Sequence, residues 1–263
     1  MVGRIPKITI DDVRYIRTFI KESIKSTKSS GMVIGLSGGI DSAVVTKLAA
    51  DSMDPSKILN VFMPSRETPA ADYKTTMDLS QKWGTEYKIV DIQPAVDALT
   101  SVLLSDIEAP LERGNIAARC RMVVLYNLAK KRNYVVAGTS NQSEMMTGYF
   151  TKFGDGACDL TPLANTYKTE VKQMAAMIGI PQDIIDRPPS AGFWEGQTDE
   201  SEMGISYDNL DAILYNMELD FDDEEIAKDL GLSLEEVKKT RELVESMEHK
   251  RRLPLRPDPI YDY

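Results

Sequence analysis

The chain has 263 residues, 42% of them hydrophobic, enough for one large α/β domain or one domain with a small appendage, and for a sizeable core. Its 41 acidic against 31 basic side chains give a formal charge of -10, which disfavours a nucleic-acid partner outside some local basic patch. No window reads as a membrane span and the N-terminus MVGRIPKITIDDVRYI lacks the apolar centre of a signal peptide, so the cytoplasm is the expected compartment, with Cys120 and Cys158 as thiols and not a bridge.

Val13, Ile16, Ile20 and Ile24 recur at helical spacing, KSSG stops them, and MVIGL reads as a fully buried strand. AVVTKLAA then predicts a helix, ILNVFMP a second strand, DYKTTMDLSQKWG a helix closed by Gly84, and EYKIVDI a third strand. After PAVDALTSVLL, the stretch NIAARCRMVVLYNLAKKRN is expected to form a helix that buries Ile116, Cys120, Val123, Val124 and Leu128 on one face, followed by the strand YVVAGTS. Strands alternating with helices in this way predict a doubly wound parallel sheet covered on both faces. Periodicity lapses between Thr147 and Thr166, a candidate binding loop, and again in RPPSAGFWEGQTDE. Between them TEVKQMAAMIGIP is helical, and beyond them Leu210, Ile213, Leu214 and Met217 form a stripe followed by two short helices. Residues 1–195 are therefore read as the α/β domain and 196–263 as a helical extension packing on it.

The stretch VIGLSGGIDSAVV places two glycines between a buried strand and an apolar helix. A helix N-terminus there offers unpaired N–H groups and partial positive charge to phosphate oxygens, and Gly38 and Gly39 allow close backbone approach. Ser37 and Ser42 add hydroxyl donors. Neither the lysine-bearing triphosphate loop nor GxGxxG fits the spacing. An aspartate at the mouth of an anion site needs a bridging divalent cation, so Asp41 predicts Mg²⁺. The same residues also read as an ordinary glycine turn with Asp41 at a helix start, and the motif alone leaves both open.

SGGIDS resembles the signature loop of the N-type ATP pyrophosphatases, and GNIAARCRMVVLYNLA, VVAGTSNQSEMMTGYFTKFGDGACDLTPLANTYKTEVKQMA and RPPSAGFWEGQTDESEMGISYDNLDAIL resemble the NAD⁺ synthetase family within them, from about Asp12 to Arg251. The resemblance implies a Rossmann-like, adenine nucleotide alpha hydrolase-like fold. It also implies ATP-dependent adenylation of deamido-NAD⁺, release of pyrophosphate, and displacement of AMP by ammonia, in a homodimer. By similarity Gly35, Leu36, Ser37, Gly38, Gly39, Ile40, Asp41 and Ser42 hold ATP phosphates. Asp41 and Glu144 bind Mg²⁺, Lys168 reaches the phosphates, and Thr139 and Ser190 contact ATP. Asp41, Glu144 and Lys168 are then the catalytic set. Arg119, Lys152, Asp159, His249 and Lys250 hold deamido-NAD⁺, and Arg66 in MPSRETP is a further candidate for ATP. Without the rest of the motif Glu144 reads first as the partner of Asn141 in a capping box, and Lys168 as a solvated lysine at a helix start. GDGACD is not a calcium loop, because no glutamate follows at the required position.

Two other classes are weighed. Another ATP pyrophosphatase, a GMP synthetase or tRNA lysidine synthetase, would share the loop but use a different acceptor. The helix–glycine–helix cadence EEIAKDLGLSLEEVKKTRELVE suggests a DNA reader, yet Glu235, Glu236 and Glu242 in its second helix would oppose phosphates, and a packed hairpin is the better expectation. About thirty residues precede the loop, without the amidase domain of glutamine-using members, so free ammonia is the expected nitrogen source.

Overall fold

The structure, a computed structural model, describes residues 3, 5–103, 110–190, 192 and 196–257. Leu104, which ends the PAVDALTSVLL pattern, and Ala191, Phe193, Trp194 and Glu195 of the second irregular stretch lie outside the described residues, as do 258–263 of the extension.

Helix α1 (Ile10–Ser26) starts at a capping box in which the Thr9 hydroxyl accepts the Asp12 N–H and Asp12 accepts the Thr9 N–H; it buries Val13, Ile16 and Ile20. Strand β1 (Gly31–Gly35), α2 (Ile40–Ala50), β2 (Ile58–Phe62), α3 (Ala70–Trp83), β3 (Glu86–Ile89), α4 (Gln93–Val102), α5 (Pro110–Arg132) and β4 (Tyr134–Ala137) follow in strict alternation except for the α4–α5 pair. All four strands are parallel, in the order β3-β2-β1-β4. Period-two alternation distributes β1 between two cores. Met32 and Ile34 join Val13 of α1, Val44 of α2 and Met174 from farther along the chain, while Val33 joins Val96, Ile116 and Cys120 of α4 and α5. The sheet is thus covered on both faces, as parallel crossovers require.

The winding reverses beside β1. The chain runs outward through β2 and β3, then returns to lay β4 on the other flank of β1. Loops leaving β1 and β4 at their C-terminal ends therefore meet, which is where an open α/β sheet opens a crevice for ligands.

Two expectations change. EYKIVDI is a shorter strand than its pattern suggests: β3 is the edge, with Glu86, Lys88 and Ile89 exposed, and beyond it Val90 and Ile92 still donate to Phe62 and Pro64 carbonyls while Ile92 turns in to cap α4. On α5 the buried face carries Ile116, Ala117 and Cys120 with Val124 and Leu128 alongside, but Val123 is 61% exposed. A residue three places past Cys120 sits about 60° round the helix from it, enough to leave the core.

The C-terminal part comprises α6 (Gln142–Thr147), α7 (Lys168–Met177), α8 (Gln182–Ile185), α9 (Asp199–Met203), α10 (Tyr207–Glu218), α11 (Asp223–Leu230), α12 (Leu234–Ser246) and α13 (Glu248–Arg251). Tyr167 and Met146 pack with Tyr207, Leu210, Leu214 and Val244, so α10 and α12 lie directly on the start of α7 and on α6. Helices α11 and α12 close over Ile213 through Ile226, Ala227 and Val237, and Arg241 pairs with Asp223 at 2.6 Å. The cadence weighed as a DNA reader is a packed hairpin. Cys120 and Cys158 are both free thiols.

Candidate functional site

The glycine turn leaves β1 at Gly35, and Leu36 continues the ladder with an N–H to the Val61 carbonyl at 3.1 Å. Gly38 then takes φ +89°, a left-handed conformation that side-chain-bearing residues rarely adopt. Gly39 is the N-cap of α2 and supplies no side-chain acceptor, so the first amides of α2 face the crevice without a cap. Ser37 and Ser42 do something other than offer spare donors. The Ser42 hydroxyl donates to the Gly39 carbonyl at 3.0 Å and accepts the Ser37 N–H at 3.2 Å, while the Ser37 oxygen accepts the Gly39 N–H at 3.3 Å. The two hydroxyls hold the turn in shape and take up the Ser37 and Gly39 amides, which leaves the uncapped first amides of α2 as its open donors.

Across the crevice, the loop after β4 carries half-buried Thr139 and wholly buried Asn141. Asn141 caps α6, accepting the Glu144 N–H at 3.1 Å, and its amide nitrogen donates to Asp41 Oδ1 at 2.9 Å. One Glu144 oxygen completes the box on the Asn141 N–H; the other accepts from Lys168 Nζ at 3.1 Å. Glu144 is therefore both a cap and a site carboxylate. Lys168, the first residue of α7, is 2% exposed, and its ammonium lies 2.7 Å from Asp41 Oδ2. The solvated alternative for Lys168 is overturned, because two carboxylates and the face of Tyr207, 5.2 Å from Nζ, enclose it.

The electrostatics follow from that enclosure. Burial pulls Lys168 toward neutrality, but the Asp41 and Glu144 charges outweigh it and hold the ammonium above its ordinary range. Burial raises the Glu144 carboxyl, with the Lys168 charge opposing and those of Asp41 and Asp199 adding to the rise. Asp199 is itself raised by burial; Tyr207 donates to its Oδ2 at 3.0 Å while its buried Oδ1 has no hydrogen-bond partner. Three carboxylates thus share one lysine's field, a local deficit of positive charge.

The chain puts these groups in place by a second network. Asp211 of α10, fully buried, accepts from the Ser143 hydroxyl and from the Thr169 N–H at 2.8 Å, and Ser143 Oγ accepts the Lys168 N–H at 2.9 Å. The N-termini of α6 and α7, which bear Glu144 and Lys168, are joined through this one carboxylate of α10.

The residues assigned to the dinucleotide gather in two places. Arg119 donates to the Lys152 carbonyl at 3.3 Å, and Lys152 Nζ to the His249 carbonyl at 2.6 Å. Lys250 Nζ donates to the Gly148 and Phe150 carbonyls at 2.6 and 2.9 Å, so α13 is clamped onto the loop that follows Glu144. His249 is exposed. Asp159 stands apart, accepting the Val136 N–H at 2.7 Å along the flank of β4. Asp155 closes its own turn by accepting the Thr151 N–H. Ser190 is exposed, its oxygen accepting the Gly192 N–H at 3.1 Å. Arg66 points to Asp97, 3.5 Å away, and its side chain has no described contact with the glycine turn.

Several participants escape sequence reasoning. Asn141 is legible as a cap from NQSE, but its bond to Asp41 joins residues a hundred positions apart. Asp199 lies within an irregular stretch with no periodic signal and Tyr207 shortly after it, and Asp211 sits beside an apolar stripe where a polar residue is ordinarily assigned to solvent.

A family model described as NAD synthase matches residues 12–254. An NH3-dependent NAD⁺ synthetase of Pyrococcus horikoshii is 47% identical over 242 residues, covering 90% of this chain and 92% of the relative. Among solved structures, an NMN synthetase from Francisella tularensis superposes with a TM-score of 0.82 at 34% identity, covering 94% of this chain and 98% of that one. An NH3-dependent NAD synthetase from Campylobacter jejuni, in complex with the nitrate ion, gives 0.80 at 28% identity with the same coverage.

Proposed function

Because the chain belongs to the NAD synthase family, we propose that its glycine turn and carboxylate–lysine site convert deamido-NAD⁺ to NAD⁺ with ATP and ammonia. A nicotinate carboxylate oxygen attacks the α-phosphorus of ATP, the bond to the bridging oxygen breaks, and pyrophosphate leaves. Ammonia then adds to the acyl carbon, the C–O bond to AMP breaks, and the nitrogen sheds a proton. Both steps demand positioning of one anion against another and neutralisation of the departing charge. The observation that carries this is the ammonium of Lys168 held between Asp41 and Glu144, next to the uncapped turn at the sheet's switch point.

The donors fit Mg²⁺, which takes hard oxygen ligands and is ordinarily held by one or two carboxylates together with phosphates. Asp41 and Glu144 converge on a single cation already, and the surplus of carboxylates over lysine leaves charge for another. When bound there, it would supply charge to the leaving pyrophosphate. Lys168 fixes the two carboxylates, and the amides of the turn orient the phosphates.

As a homodimer the chain has a surface to spare: Leu99 and Val102 of α4 and Leu111 and Val123 of α5 are 46, 73, 56 and 61% exposed. Among the described residues no helix is long and apolar enough to cross a membrane, and the free thiols suit a reducing cytoplasm.

Incubation with ATP, Mg²⁺, ammonium and deamido-NAD⁺ is expected to yield NAD⁺, AMP and pyrophosphate; ADP would overturn the adenylation. The acid form of nicotinamide mononucleotide belongs in a parallel reaction, given the Francisella relative, and its preferential consumption would retain the chemistry and displace the acceptor.

A further inference from the structure

Behind the glycine turn lies a carboxylate that the reaction does not use. Asp72, in the first turn of α3, is buried, and a Cβ placed on Gly38 would come within 3.2 Å of its Oδ1. An acidic residue suits the start of α3, whose N-terminus carries partial positive charge, and Asp72 fills the space a side chain on Gly38 would need. Its charge, however, stands beside the backbone that has to attract a triphosphate. Like charges this close repel strongly once water is thin, and Lys168 is already engaged by Asp41 and Glu144.

The cation that meets Asp72 comes from far along the chain. Arg187 Nη1 lies 2.6 Å from Asp72 Oδ1, with the arginine side chain 35% exposed and the aspartate 9%. Arg187 begins the run that leads to Ser190, and the run is tied again at Pro189, whose carbonyl accepts the Asp199 N–H at 3.0 Å. Arg187 also lines a cleft of about 410 Å³ together with Lys172, Pro189, Thr198 and Glu200.

We propose that Arg187 is a positioning residue for ATP: it cancels the Asp72 charge behind Gly38, so that the glycine turn presents a net positive field to the phosphates. This rests on the reading of the turn as the phosphate site. The ion pair has a specific arithmetic. Removing the arginine leaves a bare carboxylate beside the phosphates, removing the aspartate leaves a bare cation, and removing both returns the field to balance.

The test uses the full chain and measures KM for ATP and for deamido-NAD⁺ separately, with kcat and thermal midpoint. R187Q is expected to raise the ATP KM by about tenfold or more, leaving the deamido-NAD⁺ KM within about twofold. D72N is expected to lower the ATP KM about threefold at low salt and less at high salt. The double variant D72N/R187Q should return to within about threefold of the parent. A tie that acts only through packing predicts instead that D72N and the double variant are as impaired as R187Q. An unmoved ATP KM in R187Q, a double variant no better than R187Q, or a D72N that binds ATP more weakly would each overturn the assignment. The D72N arm stands even where R187Q fails to fold. Failure of the parent chain to make AMP would sink the functional reading itself, whereas normal AMP formation with unmoved KM values sinks only the role of Arg187.

Discussion

Lys168 shows how much one side chain can be asked to do. Its ammonium is paired twice, enclosed to 2% exposure, and charged against the cost of burial. Breaking such a pair from one side leaves uncompensated buried charge, which typically costs about 3–5 kcal/mol. Lys168→Gln should therefore lower unfolding free energy in denaturant titrations by about 3 kcal/mol, the partial relief coming from protonation of Glu144. Its turnover should fall by at least about a hundredfold, since Asp41 and Glu144 lose the ammonium that holds them in position. Gly38 is the second sensitive position. Gly38→Ala would need φ +89° with a Cβ 3.2 Å from Asp72 Oδ1, a combination worth about 1–3 kcal/mol of strain. Gly39 lacks the positive φ, and a Cβ there would meet Ser37 Oγ at an ordinary 3.4 Å, so Gly39→Ala should leave the thermal midpoint nearly unchanged. Equal destabilisation of the two variants would contradict the geometry.

At the scale of elements, the decisive joint is where α6, α7 and α10 meet. Apolar periodicity announces α10 through Leu210, Ile213 and Leu214, all buried, yet the residue that connects it to the chemistry is Asp211. Asp211→Ala would strand the Ser143 hydroxyl and the Thr169 N–H in the interior at a cost of about 2–4 kcal/mol. Because Ser143 and Thr169 flank Glu144 and Lys168 in sequence, kcat should drop along with stability, and Asp211→Asn, which keeps an acceptor, should recover part of both. Full activity in a folded Asp211→Ala variant, measured by pyrophosphate release, would separate the joint from the site. The capping boxes at Thr9, Asn141 and Ser233 belong to the same scale and are visible in sequence, because each joins residues three apart.

For the whole molecule, the exposed apolar side chains of α4 and α5 predict self-association. Sedimentation of the parent chain should give a dimer, and Val102→Glu with Val123→Glu should give a folded monomer, because exposed substitutions cost little in the subunit itself. A monomeric parent would remove the dimer from the proposal. The exposure of Val123 has a plain reason: helical spacing records that a side chain is apolar, not which surface covers it.

The sequence by itself determined the alternation of strands and helices, the turn at Gly38 and Gly39, and the helix caps, because each depends on neighbours within a few residues and on backbone geometry that glycine or a short polar side chain settles locally. Motif resemblance also singled out Asp41, Glu144 and Lys168, and the glycine turn as the place to look, and the fold brings those three side chains together. Tertiary structure decided who meets whom. Asp41 and Lys168 are 127 residues apart and Asp72 and Arg187 are 115 apart, and they meet because the winding returns beside β1 and brings distant loops to one edge. Such charge pairings leave no periodic trace, since their energy depends on burial and distance, which only the assembled fold provides.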